Sequence, residues 1–362
     1  MCSSLLDLYS DYLISSFGQT SATGLSRLTD GVVSHDQVTR FLSAPKKTGA
    51  DLWPKVKPLV RQMQSSAGVL IFDDTIEEKP YTDENEIVCW HWDHSQNRNV
   101  KGINFITALY QNAGQSIPVS FDIVAKTEHY TDPKTGKARR RSSVTKNARF
   151  REMLTQCVHN QIPLSYVLAD TWFASAENMR FIKLDLTKEF IFPLKTNRKI
   201  ALSLEDKQQG RYQRVDTLPI EPGTVRTVYL EDVPFPLQFT PVVFTNEDGT
   251  TGHLYLVSSD TTATSDQLKT GYQKRWKVEE YHKSIKQNAS LEKSPTRTET
   301  TQTNHLFAAL WAFVKLERLK QATAKNHFAL KTKLYMQALH SAFEELQRLQ
   351  RDAHPFTAGC VT

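Results

Sequence analysis

GVLIFDDT, residues 68–75, is a short apolar, β-rich run that ends in two acids. That pattern predicts a buried central strand whose far end reaches a site. Working outward, further strands are predicted at IVCWHW (87–92), INFITALY (103–110) and IPVSFDIVA (117–125), with a hairpin turn at residues 112–115 between the last two. The segment from Lys134 to Arg151 then carries eight Lys or Arg and no acid, and its second half reads as a helix through Leu154 and Val158. LSYVLAD (164–170) is another apolar strand ending in an acid, followed by a helix over 175–186 and a strand at EFIFPL (189–194). Upstream, residues 1–66 read as helical. There GLSRLTDGVVSHDQVTRFLS breaks at Gly31 and restarts behind Ser34, a good N-cap, in the outline of a helix-turn-helix.

Residues 195–260 are short strands split by Pro-Gly and Asp-Gly turns, read as a small antiparallel sheet inserted into the core. Beyond Ser265 helices are predicted over about 265–288, 302–323 and 331–350. The expected organisation is a helical segment 1–66 with the outline of a DNA-binding unit, a core of 67–194 and 261–300, the insertion 195–260 and a helical region 301–362. With the insertion set aside, the order of strands, helix, strand, helix, strand and long helix is that of an α/β, ribonuclease H-like fold.

Composition narrows the function. The 362 residues allow two or three domains, and 39% hydrophobic residues are enough for a sizeable core. A net charge of +6 is modest for this length, so a polyanion partner must be argued from clustering. Cys2, Cys89, Cys157 and Cys360 form no C-x-x-C pair, which argues against a disulfide scaffold or a four-cysteine zinc site. No apolar run is long enough to span a membrane, and Asp7 and Asp11 interrupt the apolar N-terminus. A cytoplasmic location is expected.

The acids sit where chemistry needs them. Asp73 and Asp74 close the first strand, Asp170 closes the strand after the first core helix, and Glu279 lies in the helix after the insertion. Carboxylates from such distant segments can converge on a pair of divalent cations about 3.5–4 Å apart, which clamp the attacking and leaving oxygens of a phosphoryl transfer. Hard oxygen donors select Mg²⁺ or Mn²⁺ rather than zinc. In GYQKRWKVEEYHKSIKQ (271–287), Tyr272, Arg275, Glu279, His282 and Lys286 follow at alternating steps of three and four and share one helix face. Val278, Tyr281, Ile285 and Ala289 form an apolar stripe beside it.

These residues resemble a family. Tyr272, Arg275, Glu279 and Lys286 meet Y-x2-R-x3-E-x6-K, the signature of a large superfamily of bacterial insertion-sequence transposases of the DDE type. FDDT and VLAD are similar to its two aspartate blocks, and the β-rich insertion is similar to the one those enzymes carry. The resemblance covers roughly residues 67–320. It implies cutting at terminal inverted repeats and joining of the ends to target double-stranded DNA, with two metal ions and a homodimer in the synaptic complex. It implies Asp74, Asp170 and Glu279 as catalytic metal ligands, while strand physics alone leaves Asp73 and Asp74 equivalent. Tyr272, Arg275 and Lys286 are implied as phosphate contacts, with His282 beside them.

Arg139, Arg140 and Arg141, in the basic stretch, are further candidates for DNA contact. Trp172 either stacks on an unpaired base or packs the core, and Trp276 is expected in the core. Cys89, His91 and His94 hint at zinc, but no second ligand cluster of suitable spacing accompanies them. Two other functions could use the same acids. A ribonuclease H-like nuclease or resolvase needs neither the Tyr-Arg-Glu-Lys helix nor the insertion, and a non-catalytic DNA-binding relic would lack a carboxylate.

Overall fold

Four helices lead into the first strand: α1 (Leu5–Ser15), α2 (Ala22–Leu28), α3 (His35–Leu42) and α4 (Gly49–Met63). Strands β1 (Val69–Glu78), β2 (Val88–Asp93), β3 (Arg98–Asn112) and β4 (Gln115–Ile123) follow, then a hairpin of β5 (Glu128–Thr131) and β6 (Ala138–Arg141). Next come α5 (Lys146–His159), β7 (Tyr166–Ala169), α6 (Ala176–Arg180) and β8 (Phe190–Leu194). The insertion holds β9 (Lys199–Ile200), α7 (Leu204–Gln208), β10 (Gln213–Arg214), β11 (Arg226–Val228), β12 (Leu237–Thr245) and β13 (Thr251–Ser258). The chain ends in α8 (Ser265–Gln273), α9 (Trp276–Gln287), α10 (Glu299–Thr323) and α11 (His327–Ala353). This computed structural model describes residues 4–93, 96–133, 135–245 and 248–353. Its contacts form two units, Pro45–Lys283 and Met1–Ala44 with Ser284–Thr362.

The first unit is built on a nine-stranded mixed sheet in the order β11-β12-β13-β8-β7-β1-β3-β2, with β4 also paired to β3. β1 runs antiparallel to β3 and parallel to β7, and β7 is parallel to β8. Val69 to Phe72 are completely buried, as a strand covered on both faces must be. Helices α4 and α5 pack against β4, and α8 packs against β8, β12 and β13. Phe72 meets Phe150 of α5 edge-on at 4.5 Å, and Phe150 stacks on Phe173 at 5.3 Å. The predicted turn between β3 and β4 has positive φ at both Ala113 (47°) and Gly114 (77°), the backbone a two-residue hairpin requires. This is the expected α/β arrangement, a mixed sheet sandwiched by helices.

Two expectations change. Of the inserted strands, only β9 and β10 form a small antiparallel sheet of their own; β13 pairs with β8 from Tyr255↔Leu194 to Ser258↔Ile191, so β11–β13 extend the main sheet. Every residue of β8 is buried, and β13 completes the hydrogen bonding of that otherwise open edge. The helix predicted over 265–288 is two helices. At the join, Arg275 N–H bonds Tyr272 O at 2.9 Å and Val278 N–H bonds Arg275 O at 3.0 Å, so the chain tightens to i→i−3 bonds.

The second unit is helical. Tyr9 Oη lies 3.0 Å from His305 Nδ1, and Asn304 donates to Leu42 O and Ala44 O at 2.9 and 2.8 Å, which fastens α1 and α3 to α10. α3 begins at a capping box in which Ser34 and Gln37 bond each other's backbone N–H, and Gly31 takes φ +79° in the turn before it. From residue 332 onward α11 is exposed on every side. No helix among the described residues is long and apolar enough to cross a membrane.

Candidate active site

β1 alternates, so its adjacent acids part company. Asp73 points toward α9, where its Oδ2 accepts from Arg275 Nη1 at 3.1 Å. Asp74 lies on the α5 side, where its Oδ2 accepts from Lys146 Nζ at 2.7 Å and Asn104 Nδ2 at 2.6 Å. Asp170 follows directly on β7, and its Oδ1 accepts the Trp172 N–H at 3.0 Å. Glu279 comes from the first turn of α9 and accepts from Arg275 Nη2 at 3.3 Å. One guanidinium therefore bridges carboxylates from a strand and a helix.

Burial pushes the Asp73 carboxyl up to about 8; Arg275 opposes the shift, and Asp170, Asp74 and Glu279 add to it. Asp170 is also raised, by burial first and then by Asp74. Burial works against the Arg275 charge, yet Tyr272, Asp73, Glu279 and Asp170 outweigh it. Such crowding of partly buried acids leaves a demand for positive charge that a divalent cation meets. Ligand atoms of Asp73, Glu279 and His282 all lie within 4.8 Å of one another, so the donors present fit a metal ion.

The remaining expected residues divide. Tyr272 donates to Ala169 O at 3.4 Å, and the Arg275 guanidinium lies 6.0 Å from its ring centroid. Lys286, further along α9, stands 3.7 Å from Glu292. Val278, Tyr281, Ile285 and Ala289 are buried as the stripe predicts, and Tyr281 Oη reaches Thr107 Oγ1 at 3.3 Å. Trp276 is not in the core. It is 65% exposed, because the turn at residues 274–275 sets it on the outer side of α9. Trp172 is exposed as well, with Lys146 Nζ 5.8 Å from its ring centroid. It lines a cleft of about 430 Å³ together with Lys195, Asn197, Arg198 and Lys199.

The basic stretch is less free than its composition implies. Arg139 and Arg141 pair with Asp132 and Glu128 inside the β5–β6 hairpin, at 3.0 and 2.8 Å. Arg149 pairs with Asp122, and Arg151 with Glu177. Arg140 is half-buried, within electrostatic range of Cys89. Of the residues that hint at zinc, Cys89 bonds Asn85 O, His91 is buried and pressed down to about 3 by burial and by Lys126 and Lys146, and His94 lies outside the described residues. Sequence reasoning missed Lys146 and Asn104 as partners of Asp74; Thr145 as an N-cap marks where the helix of Lys146 begins, but the register of β3 against β1 leaves no local signal.

A search of curated proteins finds no match. The family described as "Transposase DDE domain" matches residues 69–314, a span that opens on β1 and takes in Asp73, Asp74, Asp170 and Glu279. With that span covering most of its length, the chain belongs to the DDE transposase family.

Proposed function

We propose that this transposase cuts DNA at the terminal inverted repeats of its insertion sequence and joins the ends to target DNA, with Asp73, Asp170 and Glu279 holding two divalent cations, Mg²⁺ or Mn²⁺. The observation that carries the reading is the convergence of Asp73 and Glu279 on one guanidinium beside Asp170. When bound, the cations supply a nucleophile from water or a DNA hydroxyl and stabilise the leaving oxygen. The protein's own residues do the rest. Arg275 balances the acids until cations enter and is then released toward a DNA phosphate. Tyr272 keeps that guanidinium against the end of β7. Lys146 and Trp172, beside a cleft lined by Lys195, Arg198 and Lys199 and also by Glu231 and Asp232, offer a charge and a stacking surface to a strand leaving the site. Lys286 and Arg140 are further phosphate contacts on this reading.

Asp74 is the aspartate that the signature favours, and the geometry supports Asp73 in its place. Asp74 is held by Lys146 and Asn104, so its role here is to orient Lys146. Two copies act together through α11, whose Tyr335, Leu339, Ala342, Leu346 and Leu349 repeat at steps of four and three on an exposed face.

The test uses purified protein and duplexes carrying the inverted repeats beside its gene. Asp73→Asn, Asp170→Asn and Glu279→Gln should each abolish cleavage and leave end binding largely intact, whereas Asp74→Asn should slow cleavage only by about tenfold. Loss of cleavage in Asp74→Asn with near-normal cleavage in Asp73→Asn would reverse the assignment. Cleavage that persists in excess chelator would remove the metal mechanism altogether.

A further inference from the structure

We propose that His282 is a nitrogen ligand of the cation held by Asp73 and Glu279, which makes this centre a mixed carboxylate–imidazole site that favours Mn²⁺ over Mg²⁺. The proposal rests on the reading of Asp73 and Glu279 as cation ligands and adds a donor that the three-carboxylate signature does not contain. Its basis is position. His282 stands three residues after Glu279 on a regular stretch of α9, so the two side chains leave the helix on one face, one turn apart. A Glu-x-x-His pair on a helix is a geometry that delivers a carboxylate and an imidazole to one metal. Asp73 completes the set from β1, and the three ligand atoms lie within 4.8 Å of one another.

Donors at about 2.1 Å from an octahedral ion stand roughly 3 Å apart when adjacent and 4.2 Å apart when opposite. Side-chain rotation alone therefore closes the group on one ion. Burial points the same way. His282 is 7% exposed and its ring packs 5.2 Å from that of Tyr281, so it is poorly placed to reach a phosphate on the outside of a duplex. A neutral imidazole also supplies a donor without adding charge to a site that already holds Arg275. Mg²⁺ keeps to oxygen and sheds water reluctantly, whereas an imidazole donor suits transition ions, so nitrogen ligation tilts the site toward Mn²⁺.

The experiment is pulsed electron paramagnetic resonance on the full-length protein loaded with Mn²⁺, together with Mn²⁺ and Mg²⁺ titrations. The wild-type spectrum should carry ¹⁴N modulation, which changes to the ¹⁵N pattern when the histidines are labelled with ¹⁵N. His282→Gln should still bind Mn²⁺, lose the modulation and show a Mn²⁺/Mg²⁺ affinity ratio lower by about tenfold. Mn²⁺ bound to wild-type protein without histidine nitrogen coupling overturns the proposal and leaves the carboxylate centre standing. Coupling that survives in His282→Gln assigns the nitrogen elsewhere and overturns it equally. If the wild-type protein binds no Mn²⁺, the carboxylate centre itself fails and His282 with it. Absence of the ¹⁵N change in the labelled wild type overturns the proposal even if the variant does not fold.

Discussion

Replacing Arg275 by Ala is the most informative single perturbation of this site. Its guanidinium touches Asp73 at 3.1 Å and Glu279 at 3.3 Å; the Arg275 and Asp73 side chains are only 18% and 13% exposed, and that of Glu279 is 41% exposed. The two halves of the bridge should therefore weigh differently. The Glu279 half is open to solvent and is worth under about 1 kcal/mol. The Asp73 half is buried, and stripping a buried carboxylate of its partner costs on the order of 3 kcal/mol when that carboxylate is charged. Asp73 titrates near 8, so at pH 6 it is mostly protonated and loses little, whereas at pH 9 it is ionised and the variant limits its loss by taking up a proton, at about 1.4 kcal/mol per pH unit above 8. The expected destabilisation is thus about 1 kcal/mol at pH 6 and about 2 kcal/mol at pH 9. At roughly 2–4 °C per kcal/mol for a domain of this size, Tm should fall by about 3 °C at pH 6 and about 6 °C at pH 9.

Thermal unfolding of wild-type and Arg275→Ala protein at both pH values, in EDTA and in Mn²⁺, measures this directly. Mn²⁺ should restore more stability to the variant than to the wild type, because the ion meets the same demand for positive charge. In EDTA the salt dependence of end-DNA binding should be unchanged, with the guanidinium held by the carboxylates. In the presence of metal the log–log slope should drop by about one unit as a phosphate contact is lost. A Tm loss equal at both pH values would refute the coupling to Asp73. A slope already reduced by one unit in EDTA would show that Arg275 serves phosphate from the start.

The wild-type protein should show its own pH dependence. The Asp73 carboxyl is raised from an ordinary 3.8 to about 8, so the metal-free fold keeps its full contribution below pH 4 and loses it as pH rises through about 8. Cation binding must expel that proton, so Mn²⁺ affinity should climb with pH and level off above 8; a flat profile in calorimetry would contradict the shift. In α11, a Leu339→Glu, Leu346→Glu pair should convert a dimer to a monomer in light scattering with little change in Tm, since both side chains are about half exposed. A dimer that survives both charges would move the contact elsewhere. End-sequence recognition by α3 is tested at Arg40, which is exposed on that helix: Arg40→Ala should narrow the affinity gap between inverted repeat and random DNA, and an unchanged gap would take α3 out of recognition. Deleting residues 1–66 is a poor test, because Tyr9, Leu42 and Ala44 hold α10 and their loss would strip its apolar side.

What the sequence disclosed, and what it withheld, follows from the range of each interaction. Strand β1 was visible because a short β-rich apolar run behind a glycine fits a covered strand better than a helix, and the acids after it mark its open end. The α9 stripe was visible because helical spacing is a local property: Val278, Tyr281 and Ile285 face inward wherever that helix is put. The choice between Asp73 and Asp74 was hidden, since alternation says only that they face opposite ways. Which side holds α9 depends on how a segment some two hundred residues away returns to the sheet. The same holds for charge. Lys134 to Arg151 looks like a free cationic tract in one dimension, but Asp122, Asp132 and Glu177, outside it in the chain, neutralise three of its arginines. Arg275 is the reverse case. Local spacing offered Glu279 as its i,i+4 partner at typical surface strength, and it was the distant strand, bringing Asp73 to the other side of the guanidinium, that turned a weak surface pair into a buried bridge. The chemistry of this site is carried by contacts between the strand and the helix, which is why the residue types could be read from the sequence while their partners could not.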